Sequence, residues 1–284
     1  MEKAEKAVIG KERFVYGRGG NRISVLYYGA KTQNAPLLCD IHGGGFVSGH
    51  HYSDDRLSAL LCDRADVNVA SVEYRYAPEA VYPVATEDSM DALEGLCADA
   101  SLDFDRERIF LIGHSAGGNI AAGMSILAAG NRTLRGQILD YPFLDAKIDP
   151  RKRPHIRYSI PAFYMKRFND RYYPDRGKRG EPLASPIYMS AEQAKHMPPT
   201  LVLTCSRDSL RDDGIRYAAL LTENGARAEH VEIRDAVHGL TEMVASGGID
   251  DCWWLGKKRR QTQKRLFQQA VAAICAFIEK ESNP

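Results

Sequence analysis

The chain has 284 residues, 44% of them hydrophobic, which is enough to bury a substantial core and suits one α/β domain or one domain with a small lid. Its 38 Lys+Arg against 37 Asp+Glu leave a net charge of +1, which gives no general case for nucleic acid as a partner. The start, MEKAEKAVIGKERF, lacks the apolar run of a signal peptide and no later stretch is long enough to cross a bilayer, so a cytoplasmic protein without membrane contact is expected.

In chain order, the first strand-like run is Ile23 to Tyr28 and the second is Leu37 to Ile41. Directly after the second stands HGGGF, residues 42–46. Consecutive glycines let backbone N–H groups face a ligand without side-chain obstruction, and preorganised N–H donors are what a developing oxyanion requires. The expected donors are the amides of Gly43 and Gly44, with His42 as a structural brace for the loop. A helical pattern at about 54–65 leads to the strand-like run Val67 to Val72, and a second helical pattern covers about 86–99.

The run Ile109 to Ile112 reads as a buried strand and the segment from 118 to 129 as a helix, with GHSAG, residues 113–117, between them. A serine on so sharp a strand-to-helix turn needs neighbours without bulk, which Gly113 and Gly117 provide. Ser115 is therefore a candidate nucleophile, and the amide of Ala116 after it a third oxyanion donor. A short strand at Gln137 to Leu139 follows, and then the rhythm breaks. From about Asp145 to Pro199 the chain carries no clear strand, is rich in Pro, Arg and Tyr, and has one helical piece near Ala162 to Tyr172; it reads as an excursion from the sheet that would serve as a lid. Between Asp145 and Glu181 it holds 11 Lys+Arg and 5 Asp+Glu, either a solvated face or a lid that favours anionic substrates.

Strand-like runs return at Thr200 to Thr204 and Ala228 to Ile233, with helical patterns at about 210–224 and 260–280. Strands alternating with helices imply a mostly parallel sheet covered on both faces, with an early strand antiparallel at its edge, and chemistry collected at the carboxyl ends of the strands. A serine hydroxyl needs a general base, and that base an orienting carboxylate. Of eight histidines, His238 lies in a loop after a late strand. Asp208 follows the strand Thr200 to Thr204 at its carboxyl end and is the best-placed acid, ahead of Asp212 and then Asp235. The resulting order, Ser115, Asp208, His238, is that of the α/β-hydrolases. The six cysteines (Cys39, Cys62, Cys97, Cys205, Cys252 and Cys275) show no metal-type spacing and read as reduced packing residues.

With these residues in place, the chain resembles the hormone-sensitive-lipase-like α/β-hydrolase esterases. HGGGF at 42, YRYAPE at 74–79, YPVATED at 82–88, GHSAGGNIA at 113–121, DSLRDDG at 208–214 and HGL at 238–240 fall in family order over about residues 23–240. The resemblance implies a single α/β-hydrolase domain with a small helical cap, formed by the 145–199 excursion with the N-terminal segment 1–22. That segment is short, because only 41 residues precede His42. It also implies a serine carboxylesterase acting on small-molecule esters, with short acyl groups from acetyl to butyryl, without metal or organic cofactor. Arg75 and Glu79 would brace the loops of the site, and a homodimer through the last strand is implied. An amidase or arylformamidase would use the same triad; a non-catalytic binding protein on the same scaffold would lack the histidine present here as His238. The pair Trp253-Trp254 reads as core packing, or as a cover for the pocket or an interface.

Overall fold

A computed structural model of the chain describes residues 8–129 and 134–283. Eight strands form one sheet: β1 (Lys11–Tyr16), β2 (Arg22–Tyr28), β3 (Pro36–Ile41), β4 (Asn68–Val72), β5 (Asp105–His114), β6 (Gly136–Asp140), β7 (Thr200–Arg207) and β8 (Ala228–Val237). Their order across the sheet is β1-β2-β4-β3-β5-β6-β7-β8. The pairs β1–β2 and β2–β4 are antiparallel; every later pair is parallel. This is the α/β-hydrolase fold, a mixed and mostly parallel sheet with helices on both faces.

The helices are α1 (Asp55–Ala65), α2 (Val84–Ala98), α3 (Ala116–Ala128), α4 (Ala162–Tyr172), α5 (Ala191–Lys195), α6 (Arg211–Glu223), α7 (Leu240–Ser246) and α8 (Lys257–Ser282). Because strand side chains alternate between faces, Leu37, Cys39 and Ile41 of β3 and Ile109 and Leu111 of β5 enter one core with residues of α2, α3 and α6. Leu38, Phe110 and Ile112 enter the other, against Leu57 and Leu61 of α1 and Phe267, Val271, Ile274 and Ile278 of α8. With both faces covered, β3 and β5 carry near-continuous apolar runs rather than alternation, broken in β3 by the buried Asp40. In α8 the residues Gln263, Phe267, Ala270, Val271, Ile274, Phe277 and Ile278 are buried, the one-sided stripe of a helix lying on a sheet.

Three expectations change. The segment 1–22, read as part of the cap, places Lys11–Tyr16 in the sheet as the edge strand β1, where Arg13 and Val15 turn inward between exposed neighbours and the backbone pairs along β2. The residues just after His238, given no element in the sequence reading, form the helix α7. Trp253 is 81% exposed and Trp254 43%, the latter stacked on Tyr158, so neither packs the core. The excursion 145–199 holds α4 and α5 and supplies no strand. Much of its basic surplus is paired: Arg151 with Asp149, Arg153 with Asp213, and Lys166, Arg176 and Arg179 with Asp170.

Candidate active site

Ser115 sits at the junction of β5 and α3 with φ +55°, a conformation few L-residues adopt. The tight packing around it explains the flanking glycines. A β-carbon on Gly117 would stand 2.0 Å from the Ile41 carbonyl oxygen, and one on Gly113 2.2 Å from that of Gly117. The turn is pinned by the Ser115 N–H, which donates to the Asp140 carbonyl at 3.0 Å, and by the Ser115 carbonyl, which accepts from the Phe143 N–H at 3.0 Å.

His238 follows β8 and directly precedes the left-handed Gly239 that opens α7. Its Nε2 lies 2.8 Å from the Ser115 hydroxyl and its Nδ1 2.6 Å from Asp208 Oδ2. Asp208, just past β7, is buried, and its other oxygen accepts from the Leu210 N–H at 3.1 Å and the Ser159 hydroxyl at 3.3 Å. Thus three residues far apart in sequence meet at the carboxyl ends of β5, β7 and β8. Burial disfavours a charged His238 ring, but the Asp208 charge and hydrogen bond outweigh it and raise its pKa. The alternatives stay outside the site: Asp212 and Asp235 are exposed and pair with Arg211 and Arg207.

The glycine loop after β3 turns on Gly44, with φ +122°, where a β-carbon would run into the Ser48 carbonyl. His42 is buried, stacks on Tyr74 with ring centroids 4.3 Å apart, and has its Nδ1 2.7 Å from the Gly43 carbonyl oxygen, a bond that braces the loop. The structure corrects one oxyanion donor. The Gly43 N–H donates to Glu242 Oε1 at 2.8 Å and so points away from the serine. The amides of Gly44 and Gly45 donate to no described residue, and Gly45 and Ala116 both border the cavity beside Ser115. Glu242, one turn beyond His238 on α7, also accepts from the Tyr141 hydroxyl at 3.1 Å. Its only sequence signal was its spacing from His238.

Arg75 makes a bidentate pair with Asp88, which ties the chain after β4 to α2. Glu79 is exposed and makes no hydrogen bond or ion pair with a described residue, so it braces nothing. The acid in that role is Glu73, which bonds the backbone and ring of His51 and the Tyr76 hydroxyl, and stands 3.8 Å from His42 Nε2. Beside Ser115 lies a cavity of about 40 Å³ walled by Phe46, Phe143 and Leu210 from the sheet-end loops and by Ile160, Met165 and Phe168 from the 145–199 excursion.

A family model described as the alpha/beta hydrolase fold matches residues 38–242. The chain is 31% identical over 221 residues to an arylesterase of Saccharolobus solfataricus, covering 75% of this chain and 71% of the relative. It is 31% identical over 240 residues to an ethyl acetate hydrolase of Pseudomonas putida, covering 80% and 74%. A hyperthermophilic esterase from Pyrobaculum calidifontis superposes with TM-score 0.79 at 29% identity, covering 96% of this chain and 83% of that one. The chain belongs to the hormone-sensitive-lipase-like α/β-hydrolase esterases. It is a carboxylic ester hydrolase of that serine-hydrolase class.

Proposed function

We propose that the protein hydrolyses esters of short acyl groups, acetyl to butyryl, through an acyl-enzyme at Ser115. His238 Nε2 takes the hydroxyl proton as the oxygen attacks the ester carbonyl, and Asp208 holds the imidazolium that forms. The amides of Gly44, Gly45 and Ala116 receive the negative charge on the carbonyl oxygen. As the intermediate collapses, His238 returns the proton to the leaving alcohol; water then repeats the sequence and releases the acid. The supporting observation is the cavity next to the serine hydroxyl, closed by six apolar side chains. At about 40 Å³ it has room for roughly three water-sized groups.

The test is hydrolysis of p-nitrophenyl acetate, butanoate and decanoate, with 4-nitroformanilide beside them, by the wild type and Ser115→Ala. Expected are a preference for the two short esters and a loss of about 10⁴ or more in the variant. Preference for decanoate would sink the short-acyl reading, and faster cleavage of the anilide would make the protein an amidase. No helix among the described residues is long and apolar enough to cross a membrane. Work in the cytoplasm is part of the same proposal. The homodimer belongs to the same proposal: β8 is an edge strand with its outer backbone open to a second copy, and a monomer mass in sedimentation would remove it.

A further inference from the structure

A cleft of about 710 Å³ that shares no lining residue with the cavity beside Ser115 is bordered by Phe14, Arg22, His50, Tyr52, Arg75 and Glu79. Three side chains converge in its wall. His50 and His51 come from the turn that follows the glycine loop, and Glu73 from the first position after β4. His51 Nδ1 stands 2.8 Å from His50 Nδ1 and 2.7 Å from Glu73 Oε2, and the latter two atoms are 3.2 Å apart. We propose that His50 Nδ1, His51 Nδ1 and Glu73 Oε2 form a binding site for a divalent transition metal of the zinc class, separate from the ester-hydrolysing centre.

A count of protons favours a cation there. His50 Nδ1 already accepts the Tyr52 N–H, so it offers a lone pair rather than a hydrogen. Glu73 Oε2 is an acceptor as well, and it already takes the His51 N–H at 2.8 Å. The Ser24 hydroxyl donates to Glu12 and so accepts from His51 Nε2, and with the ring hydrogen there His51 Nδ1 turns a third lone pair toward the other two atoms; a metal ion would take all three, displacing the long 3.3 Å bond from the Tyr52 N–H.

Two imidazoles and one carboxylate make a donor set for zinc, cobalt or nickel rather than for calcium or magnesium, which prefer oxygen alone. Ligands of a tetrahedral zinc, at about 2.0–2.1 Å from the metal, stand roughly 3.3 Å apart, so the three atoms need to part by a few tenths of an ångström. His50, 44% exposed, can widen its own two separations, and the 2.7 Å between His51 Nδ1 and Glu73 Oε2 must open through the Glu73 carboxylate, because His51 is buried. The outer atoms are already oriented: His51 Nε2 lies 3.0 Å from the Ser24 hydroxyl, and the Tyr76 hydroxyl donates to Glu73 Oε1. The remaining coordination position faces the cleft, where water or a small anion would complete the shell.

Zinc chloride titrated into chelator-stripped full-length protein, in competition with a chromophoric chelator, tests the site. One zinc ion per chain is expected, with affinity about tenfold weaker or worse in His50→Ala and in Glu73→Gln. Cobalt(II) gives a second readout: visible bands of four-coordinate cobalt in the wild type, absent in His50→Ala. The half-exposed position of His50 makes its variant the safer one for folding, which circular dichroism checks. No zinc retained against the chelator, or zinc bound equally well by both variants, would overturn the proposal and leave the three residues as a hydrogen-bonded brace.

Discussion

One residue before Ser115, His114 lies fully buried between two carboxylates, with Nδ1 3.0 Å from Asp140 and Nε2 3.3 Å from Asp40. Thr241 donates to Asp140 and Ser58 to Asp40, so the network ties β3, β5, β6, α1 and α7 together beneath the site. Burial alone would keep the ring neutral, but the two acids outweigh it and raise its pKa well above the ordinary value. Unfolded, the ring titrates near about 6.5, so the folded state binds a proton more tightly than the unfolded one. The stability this contributes is complete below about pH 6.5 and is lost as pH rises through the raised pKa. His114→Asn leaves two buried carboxylates without their cation, which costs about 3–5 kcal/mol by analogy with other broken buried pairs. Urea midpoints from about pH 6 to about pH 9 should fall with pH in the wild type and start lower but run flatter in the variant. Parallel curves would show that His114 does not carry the charge.

At the scale of elements, the 145–199 excursion is fastened to the sheet layer by a second buried pair. The Arg153 guanidinium grips both oxygens of Asp213 on α6 at 2.7 and 2.9 Å and reaches the Asp145 carbonyl at 2.9 Å. Asp213 also accepts from the N–H groups of Leu144 and Asp145, so one carboxylate fixes both the start of the excursion and its return to the core. Arg153→Met keeps most of the volume but leaves the carboxylate with no cation, and a loss of about 3–5 kcal/mol in unfolding free energy is expected from denaturant titration. A change under about 1 kcal/mol would mean that the backbone donors suffice. This anchor was not legible in the sequence, where Asp213 was only a helix residue and Arg153 one of a basic run. What could be read were features written locally: the apolar strands of the central sheet, the glycine-flanked serine, and an acid and a histidine each placed just after a strand. What could not be read depended on distant partners. The edge strand β1 has no apolar run, Glu73 rather than Glu79 holds the loop, and the Gly43 amide is turned from the serine by Glu242, 199 residues away.

For the whole molecule, substrate selection comes from the meeting of two unlike parts. The sheet ends fix Ser115, Asp208 and His238 on strands that pack on both faces, whereas the cavity beside Ser115, which we propose takes the acyl group, is completed by the 145–199 excursion. Phe168 of α4 forms its outer wall, packed so close to Gly45 that a β-carbon there would lie 2.6 Å from the ring. Because Phe168 is only partly buried, trimming it opens the cavity without removing a core residue. A hydrophobic pocket discriminates by about tenfold or more for each methylene it accepts or refuses. Phe168→Ala should therefore raise the ratio of kcat/KM for p-nitrophenyl octanoate over butanoate by about tenfold, mainly through the longer ester. The rate on acetate should change little, since the reacting atoms and the amides of the glycine loop stay in place. An unchanged ratio would mean that the acyl chain does not lie against α4, and would move the search for its binding surface to the other walls of the site.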